Sequence, residues 1–443
     1  MNFIRIFDNN FWGDEGFSIK LMKMTIPEMI TATSNDVHPP LYYLFCMVLY
    51  KIFGTHGWVY HLSAIIPYLG IIIFSLTVLY KTFGKEAALL FITFSSILSN
   101  ALTYDLEVRM YSLAAFFMVL SFYSLYRISI LNHDSKITAM YLLFIVSSLC
   151  AAYTHYYCII SAAVFYIALL ILFFEKRVRF KHLALTYIIT IIGYLPWLKI
   201  VLNTTASVTK DFWMTTTPEI SSSMLYFFNN NDTIYSLVMF CITVFLIFLL
   251  RTEGTGNSFL IIGALSAPLT SLFGIALSSA YRPVYMDRYS YPASVVFWLV
   301  LSICISKLGK KSVYTLIIIA ITLLEGIPNY IDMYNEEVKN NQECAKCVAI
   351  LKDSIKENDI LITDNNFFDW TIFEYYLPDQ NYIYTDSFYD KLEDGKNCYL
   401  AWSAYLTDDE IIWLNENGYE SDLIIDDGLI GDSEFYFYRI SKK

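Results

Sequence analysis

The chain has 443 residues, 56% hydrophobic and 16% charged, with a mean hydropathy of +0.47. A soluble protein of this length carries about 25% charged residues, so the composition excludes an ordinary water-soluble globule and points to the bilayer. The net charge of −11 is uneven: residues from Asp332 onward hold 25 acidic and 9 basic side chains, net −16, and the residues before it hold 16 and 21, net +5. Such an acidic tail disfavours nucleic acid, whose binding needs cations to neutralise phosphates.

Met1 to Gly16 contains no sustained apolar stretch, so no signal peptide is expected there. Asp14-Glu15 follows Phe11-Trp12, an aromatic pair suited to the headgroup level. A half-desolvated carboxylate in that position accepts a proton from a bound hydroxyl; the plain alternative is a solvated loop acid. Asp36-Val37-His38-Pro39-Pro40 comes next. Its prolines stiffen the entry to an apolar helix and fix where Asp36 and His38 point. Asp and Pro also mark a helix start, which leaves His38 unexplained. Residues 39–53 are apolar but short and carry Lys51, and are read as a helix lying in the outer interface.

A spanning helix needs about 20 mostly apolar residues. Ten stretches qualify approximately: 57–80, 87–104, 110–130, 139–154, 156–174, 182–200, 234–250, 258–280, 291–306 and 313–330. Their connections set direction. Lys81, Lys85, Lys136, Lys176, Arg177, Arg179, Lys181, Arg251, Lys307, Lys310 and Lys311 gather on one side, against Arg109, Lys210, Arg282 and Arg288 on the other. The first side is therefore expected to be cytoplasmic. Asp14-Glu15, Asp36–His38, the Asp105-Leu106-Glu107-Val108-Arg109 turn, His155 and Asp287-Arg288-Tyr289 then all face outside. Each has a bland reading: a neutralised turn for Arg109, a hydrogen-bonded turn residue for His155, an interfacial anchor for Arg288. Together, carboxylates, a histidine and an arginine at one leaflet suit a lipid-linked phosphate, because Arg matches phosphate geometry.

Past Asp332 the pattern changes. Glu343 to Lys356 has helical spacing, Asp359-Ile360-Leu361-Ile362-Thr363 reads as a buried strand, and Tyr399–Trp402, Leu423–Ile425 and Phe435–Tyr438 read as further strands. Thr407-Asp408-Asp409-Glu410 is a capping box opening a helix that closes near Gly418. Alternating strands and helices predict a small α/β domain. Cys344 and Cys347 form a Cys-x-x-Cys pair, read as packing because two ligands do not make a zinc site. The expected fold class is a polytopic α-helical membrane protein of about ten spans with a small C-terminal extracytoplasmic α/β domain. The expected division is 1–332, with 1–56 a first outer loop of interfacial helices, and 333–443.

The runs Trp12-Gly13-Asp14-Glu15-Gly16-Phe17-Ser18 and Asp36-Val37-His38-Pro39-Pro40-Leu41-Tyr42-Tyr43 resemble the GT-C membrane glycosyltransferases, in the branch of protein O-mannosyltransferases and aminoarabinose transferases. Glu107-Val108-Arg109-Met110-Tyr111-Ser112-Leu113, Tyr153-Thr154-His155-Tyr156-Tyr157 and Asp287-Arg288-Tyr289 follow in the family's order, so the resemblance covers roughly residues 10–300. It implies transfer of a sugar, hexosyl or mannosyl-like, from a polyprenyl-phosphate donor to a lipid, glycan or protein acceptor. The transfer takes place on the extracytoplasmic face of the cell membrane, with inversion. Asp14 matches the family's catalytic acid, acting as general base, with Glu15 in support and Glu107 as the second outer-loop acid. His38, Arg109 and Arg288 fall to the donor phosphate, and Asp36, Tyr42, Tyr111, His155, Asp287 and Tyr289 to the substrate pocket. The resemblance implies no fixed cofactor; some members bind a divalent cation, for which this sequence shows no closed ligand set. Family members normally carry a membrane helix before the Asp-Glu loop, where this sequence has about a dozen residues. The rival readings are a transporter or flippase, disfavoured because the spans' interiors are nearly free of charge, and an inactive relative of the family.

Overall fold

The computed structural model describes residues 6, 10–131, 137–208, 214, 216, 233–250, 255–307, 311–356, 359–364, 370–378, 380–392, 397–431 and 433–443. Of the cations used above to set direction, Lys136, Lys210, Arg251 and Lys310 lie outside the described residues. The chain divides into two compact units: residues 25–54 and 61–331 form the body of the first, and residues 4–24, 55–60 and 332–443 form the second.

The first unit is a helical bundle. In chain order the helices are α1 (Gly13–Met22), which belongs to the second unit, then α2 (Ile26–Ser34), α3 (Leu41–Phe53) and α4 (Gly57–Phe83), the last with a π-helical turn at Ser75–Leu79. They continue with α5 (Lys85–Ile97), α6 (Ser99–Tyr104), α7 (Tyr111–Ile130), α8 (Ile137–Thr154), α9 (Tyr157–Phe174), α10 (Phe180–Val208), α11 (Thr233–Leu250), α12 (Thr255–Ala280), α13 (Tyr291–Ser306) and α14 (Lys311–Ser354). Among the described residues eight helices are long and apolar enough to cross a membrane, so the chain is a multi-pass membrane protein. Ile188, Ile191, Ile192, Leu195, Ile317 and Leu324 are exposed, as expected of side chains whose solvent is lipid.

Residues 87–104 form two helices and not one, because Leu98 is extended and splits α5 from α6. The break is packed: a Cβ added at Gly326 would meet the Ile97 carbonyl oxygen at 2.8 Å, and Asn329 Nδ2 donates to Ser99 Oγ at 3.3 Å. α11 is an apolar helix of 18 residues. At the centre of the bundle, α13 is buried along its whole length and packs on α5, α7 and α12. Its small residues Ala293, Ser294 and Ser302 allow this closeness, and Ser294 and Ser302 return their hydroxyls to carbonyls one turn back.

α14 runs 44 residues without interruption. The two units divide at Asp332, where the composition changes, yet the helix runs on through it, because Glu, Lys, Gln and Ala are good helix formers. In the second unit the C-terminal end of α14 supplies Cys344, Cys347, Leu351 and Ile355 to an apolar core with Phe373 and Leu377, Tyr399 and Ala401, and Phe435 and Phe437. Both cysteines of the Cys-x-x-Cys pair are thus packing residues.

The sheet order is β2-β1-β3-β5-β4, for β1 (Ile360–Asp364), β2 (Asn381–Thr385), β3 (Cys398–Trp402), β4 (Tyr419–Ile430) and β5 (Ser433–Lys442). β1 pairs in parallel with β2 and β3, and β5 is antiparallel to β3 and β4. Alternation along β3 sends Cys398, Leu400 and Trp402 to a second core with Leu414 of α16 (Asp408–Glu416), and Tyr399 and Ala401 to the first. Helices therefore cover both faces, with α15 (Trp370–Tyr376) on the α14 side. The Thr407 box forms as expected, with Thr407 N–H and Oγ1 both on the Glu410 carboxylate and Gly418 at φ +79° just past α16. β2 was missed: Asn381-Tyr382-Ile383-Tyr384-Thr385 offers one aliphatic residue and lies at the sheet edge.

Candidate active site

Four of the five polar clusters meet at one end of the first unit. Pro39 and Pro40 open α3, and the segment before them holds Asp36 and His38 so that the ring turns back on its own chain. His38 Nδ1 lies 2.9 Å from Asp36 Oδ2, and an Arg109 Nη lies 3.2 Å from His38 Nε2. A guanidinium can only donate, so Nε2 accepts and Nδ1–H donates to the carboxylate. One tautomer thus links Asp36, His38 and Arg109 in line. Burial acts against the Asp36 charge, but the His38 ring and the Arg109 guanidinium outweigh it and hold the carboxyl below the usual range.

Arg109 is 1% exposed. It sits in the turn between α6 and α7, and two residues that sequence reasoning did not single out pin that turn. His61 of α4 hydrogen-bonds the Leu106 carbonyl through Nδ1 at 3.0 Å. Tyr291 of α13 donates to Asp105 Oδ1 at 2.8 Å. Burial holds the Asp105 carboxyl well above the ordinary range, and the tyrosine only partly offsets it. Glu107 is also buried, and its carbonyl accepts the Arg109 N–H at 2.6 Å.

His155 occupies the short turn between α8 and α9. Its Nδ1 accepts the Tyr157 N–H at 3.3 Å, which puts the proton of the neutral ring on Nε2. Its ring centroid lies 6.5 Å from His38, 5.7 Å from Tyr111, 5.3 Å from Tyr289 and 6.0 Å from Tyr157. Burial pushes the His155 pKa well below its ordinary value of 6.5, and the charges of His38, Arg109 and Arg288 push the same way. As pH falls, the unfolded chain therefore takes up a proton at His155 before the folded one does, and stability is lost from about pH 6.5 downward. The thermal midpoint is expected to drop between about pH 7 and pH 5, and His155→Gln to flatten that slope; an unchanged slope would show that His155 is not the buried titrating group.

Asp287, Arg288 and Tyr289 form a 3₁₀ turn leading into α13, with the first two half-buried. Tyr289 stacks at 5.0 Å from Tyr157, whose hydroxyl donates to the Val284 carbonyl at 2.9 Å. Glycine at 274 makes room here, since a Cβ would meet the Tyr285 ring at 2.3 Å and the Tyr157 ring at 3.0 Å. Tyr111 and Tyr42 are fully buried behind the cluster, Tyr42 with its hydroxyl 2.9 Å from Ser63. Neither tyrosine lines the cavity beside the cluster, and nor do Asp36 and Asp287.

A cavity of about 180 Å³ opens beside these groups. His38, His155, Tyr156, Tyr157, Thr204, Thr205, Tyr281 and Tyr289 bring polar atoms to its lining, and Val37, Ile160, Val201, Leu277 and Val284 bring apolar ones. A lining that mixes headgroup-holding groups with hydrocarbon-accepting walls matches an amphiphile. Among the described residues no three His, Cys, Asp or Glu side chains gather in a metal-holding group.

Asp14 and Glu15 belong to the second unit, in the first turn of α1. The Glu15 carboxylate accepts the Trp12 N–H at 3.3 Å, capping its own helix, and Ser18 Oγ donates to the Asp14 carbonyl at 3.0 Å. Glu15 is 1% exposed and Asp14 half-buried. The helix N-terminus favours both carboxylates.

Over its whole length the structure superimposes on solved structures of ArnT from Cupriavidus metallidurans. In the apo state the TM-score is 0.66 at 12% identity, and bound to undecaprenyl phosphate it is 0.67 at 13% identity; each covers 99% of this chain and 95% of ArnT. The chain has the ArnT fold. ArnT is an aminoarabinose transferase of the GT-C class, so the fold expected from the two outer-loop motifs is the fold present. No protein-family model and no curated protein sequence matches the chain. The ArnT architecture therefore rests on shape rather than on sequence identity.

Proposed function

We propose that the chain is an integral membrane glycosyltransferase that moves a sugar from a polyprenyl phosphate to an acceptor hydroxyl on the extracytoplasmic face, inverting the anomeric centre. The observation that carries this is the Asp36–His38–Arg109 line, whose His38 lines a cavity of mixed polar and apolar walls. Its setting supports it, since the ArnT fold also occurs bound to undecaprenyl phosphate.

In this reading Arg109 and Arg288 neutralise the donor phosphate, and His38 fixes the guanidinium of Arg109. The neutral His155 offers Nε2–H to a phosphate or sugar oxygen. Asp14, assigned by its motif, takes the proton from the acceptor hydroxyl as that oxygen attacks the anomeric carbon. The bond from that carbon to the phosphate oxygen breaks, and the polyprenyl phosphate leaves as its anion, stabilised as charge grows on it. Glu107 supports the developing oxocarbenium charge. Arginine suits this task because its fork meets phosphate oxygens in pairs.

The test uses purified full-length chain in lipid nanodiscs with undecaprenyl phosphate esters of mannose, glucose, galactose and aminoarabinose. Acceptor-dependent release of undecaprenyl phosphate from one of them is the expected result. Movement of the intact lipid across a liposome bilayer without bond cleavage would instead make the chain a flippase.

A further inference from the structure

The second unit contains the candidate base and also the residues that fasten it. Asn10 Nδ2 donates to the Gly431 carbonyl at 3.0 Å, and the Gly431 N–H donates to Asn10 Oδ1 at 2.8 Å. One amide side chain thus closes both backbone groups of Gly431, which turns the β4–β5 hairpin at φ +67°. Phe11 is 1% exposed and meets Tyr375 of α15 edge-on at 5.3 Å and Tyr60 at 5.8 Å. At the far end of α1, Lys20 Nζ pairs with Glu374 Oε2 at 2.8 Å, and the Lys23 ammonium lies 5.4 Å over the Tyr375 ring. The ion pair is partly exposed and holds little by itself; the buried ring and the paired amide hold more.

Asp14 lies three and four positions from these two fixed residues. We propose that the C-terminal α/β domain is a positioning clamp for Asp14, with Asn10 and Phe11 as its positioning residues. This rests on the assignment of Asp14 as the base. It gives the domain a role in the rate of the chemical step, since loss of orientation by about 1 Å costs up to about 100-fold. The residues of the clamp touch neither donor nor acceptor in this account, so donor affinity should not depend on them.

Asn10→Ala, Asn10→Asp, Phe11→Ala and Asp14→Asn in the full-length chain in nanodiscs test this by two readouts. Hydrogen exchange of the α1 amides is expected to rise about tenfold in Asn10→Ala, from loss of the hydrogen bonds to Gly431, with β1 and β3 unchanged. The kcat for undecaprenyl phosphate release is expected to fall about tenfold at constant donor KM. Asn10→Asp, which keeps the acceptor for the Gly431 N–H, should be intermediate in both. Unchanged α1 exchange in Asn10→Ala and Phe11→Ala would overturn the clamp, and so would a loosened α1 with unaltered kcat where Asp14→Asn is inactive. Full turnover in Asp14→Asn beside a loosened α1 in Asn10→Ala would overturn the base assignment and the positioning role with it, leaving a purely structural contact.

Discussion

Replacing Asp14 with Asn should lower release of undecaprenyl phosphate from its sugar ester by about 10²- to 10⁴-fold, the range that a general base contributes. Asn keeps the volume and the hydrogen-bonding reach of the side chain and removes its charge and its capacity to take a proton. Because Asp14 is half-buried at the start of α1, with its carbonyl held by Ser18, the substitution leaves the helix its cap and its packing. Expression and undecaprenyl phosphate affinity should therefore match the parent chain, with the thermal midpoint lowered only slightly by loss of a carboxylate from the helix N-terminus. An unaltered rate would take Asp14 out of the mechanism.

Arg109→Met is expected to weaken undecaprenyl phosphate binding about 10- to 100-fold, the effect of one or more lost charge-assisted hydrogen bonds. Met fills most of the aliphatic volume, but the charge facing Asp36 and the donor to His38 Nε2 both disappear. His38 is then free to turn, and Asp36 is left as a largely buried carboxylate with one partner fewer. Breaking a buried charged network costs about 3–5 kcal/mol of stability, so affinity has to be read on the folded fraction. Arg109→Lys should recover stability better than affinity, because an ammonium cannot meet His38 and a phosphate in the planar fork of a guanidinium. Equal affinity in all three chains would remove Arg109 from the phosphate site.

Much of the architecture was legible in the sequence because hydrophobic runs of span length have few alternatives. The C-terminal strands β1, β3 and β5 were equally legible, since Ile360–Ile362, Tyr399–Trp402 and Phe435–Tyr438 are short apolar runs bounded by polar residues. What was lost depended on tertiary contacts. Leu98 breaks α5 from α6 although neither Pro nor Gly marks it, and α14 runs on through Asp332, where the composition changes and the second unit resumes. At the site, Asp36, His38, Arg109, His155 and Tyr289 were chosen from local motifs, and the structure brings them together. His61 and Tyr291 were not chosen, because a histidine or tyrosine inside an apolar stretch gives no local sign that its partner lies 45 or 186 residues away. Tyr42 was drawn in by its neighbours in the Pro-Pro motif, yet helical geometry turns it toward Ser63.

Titration of the full-length chain in nanodiscs with undecaprenyl phosphate and with undecaprenol most directly tests whether this site binds a polyprenyl phosphate. Saturable binding of the phosphate, lost for the neutral alcohol and weakened by rising salt, is the predicted result. Equal binding of the two lipids, or none that saturates, would contradict it.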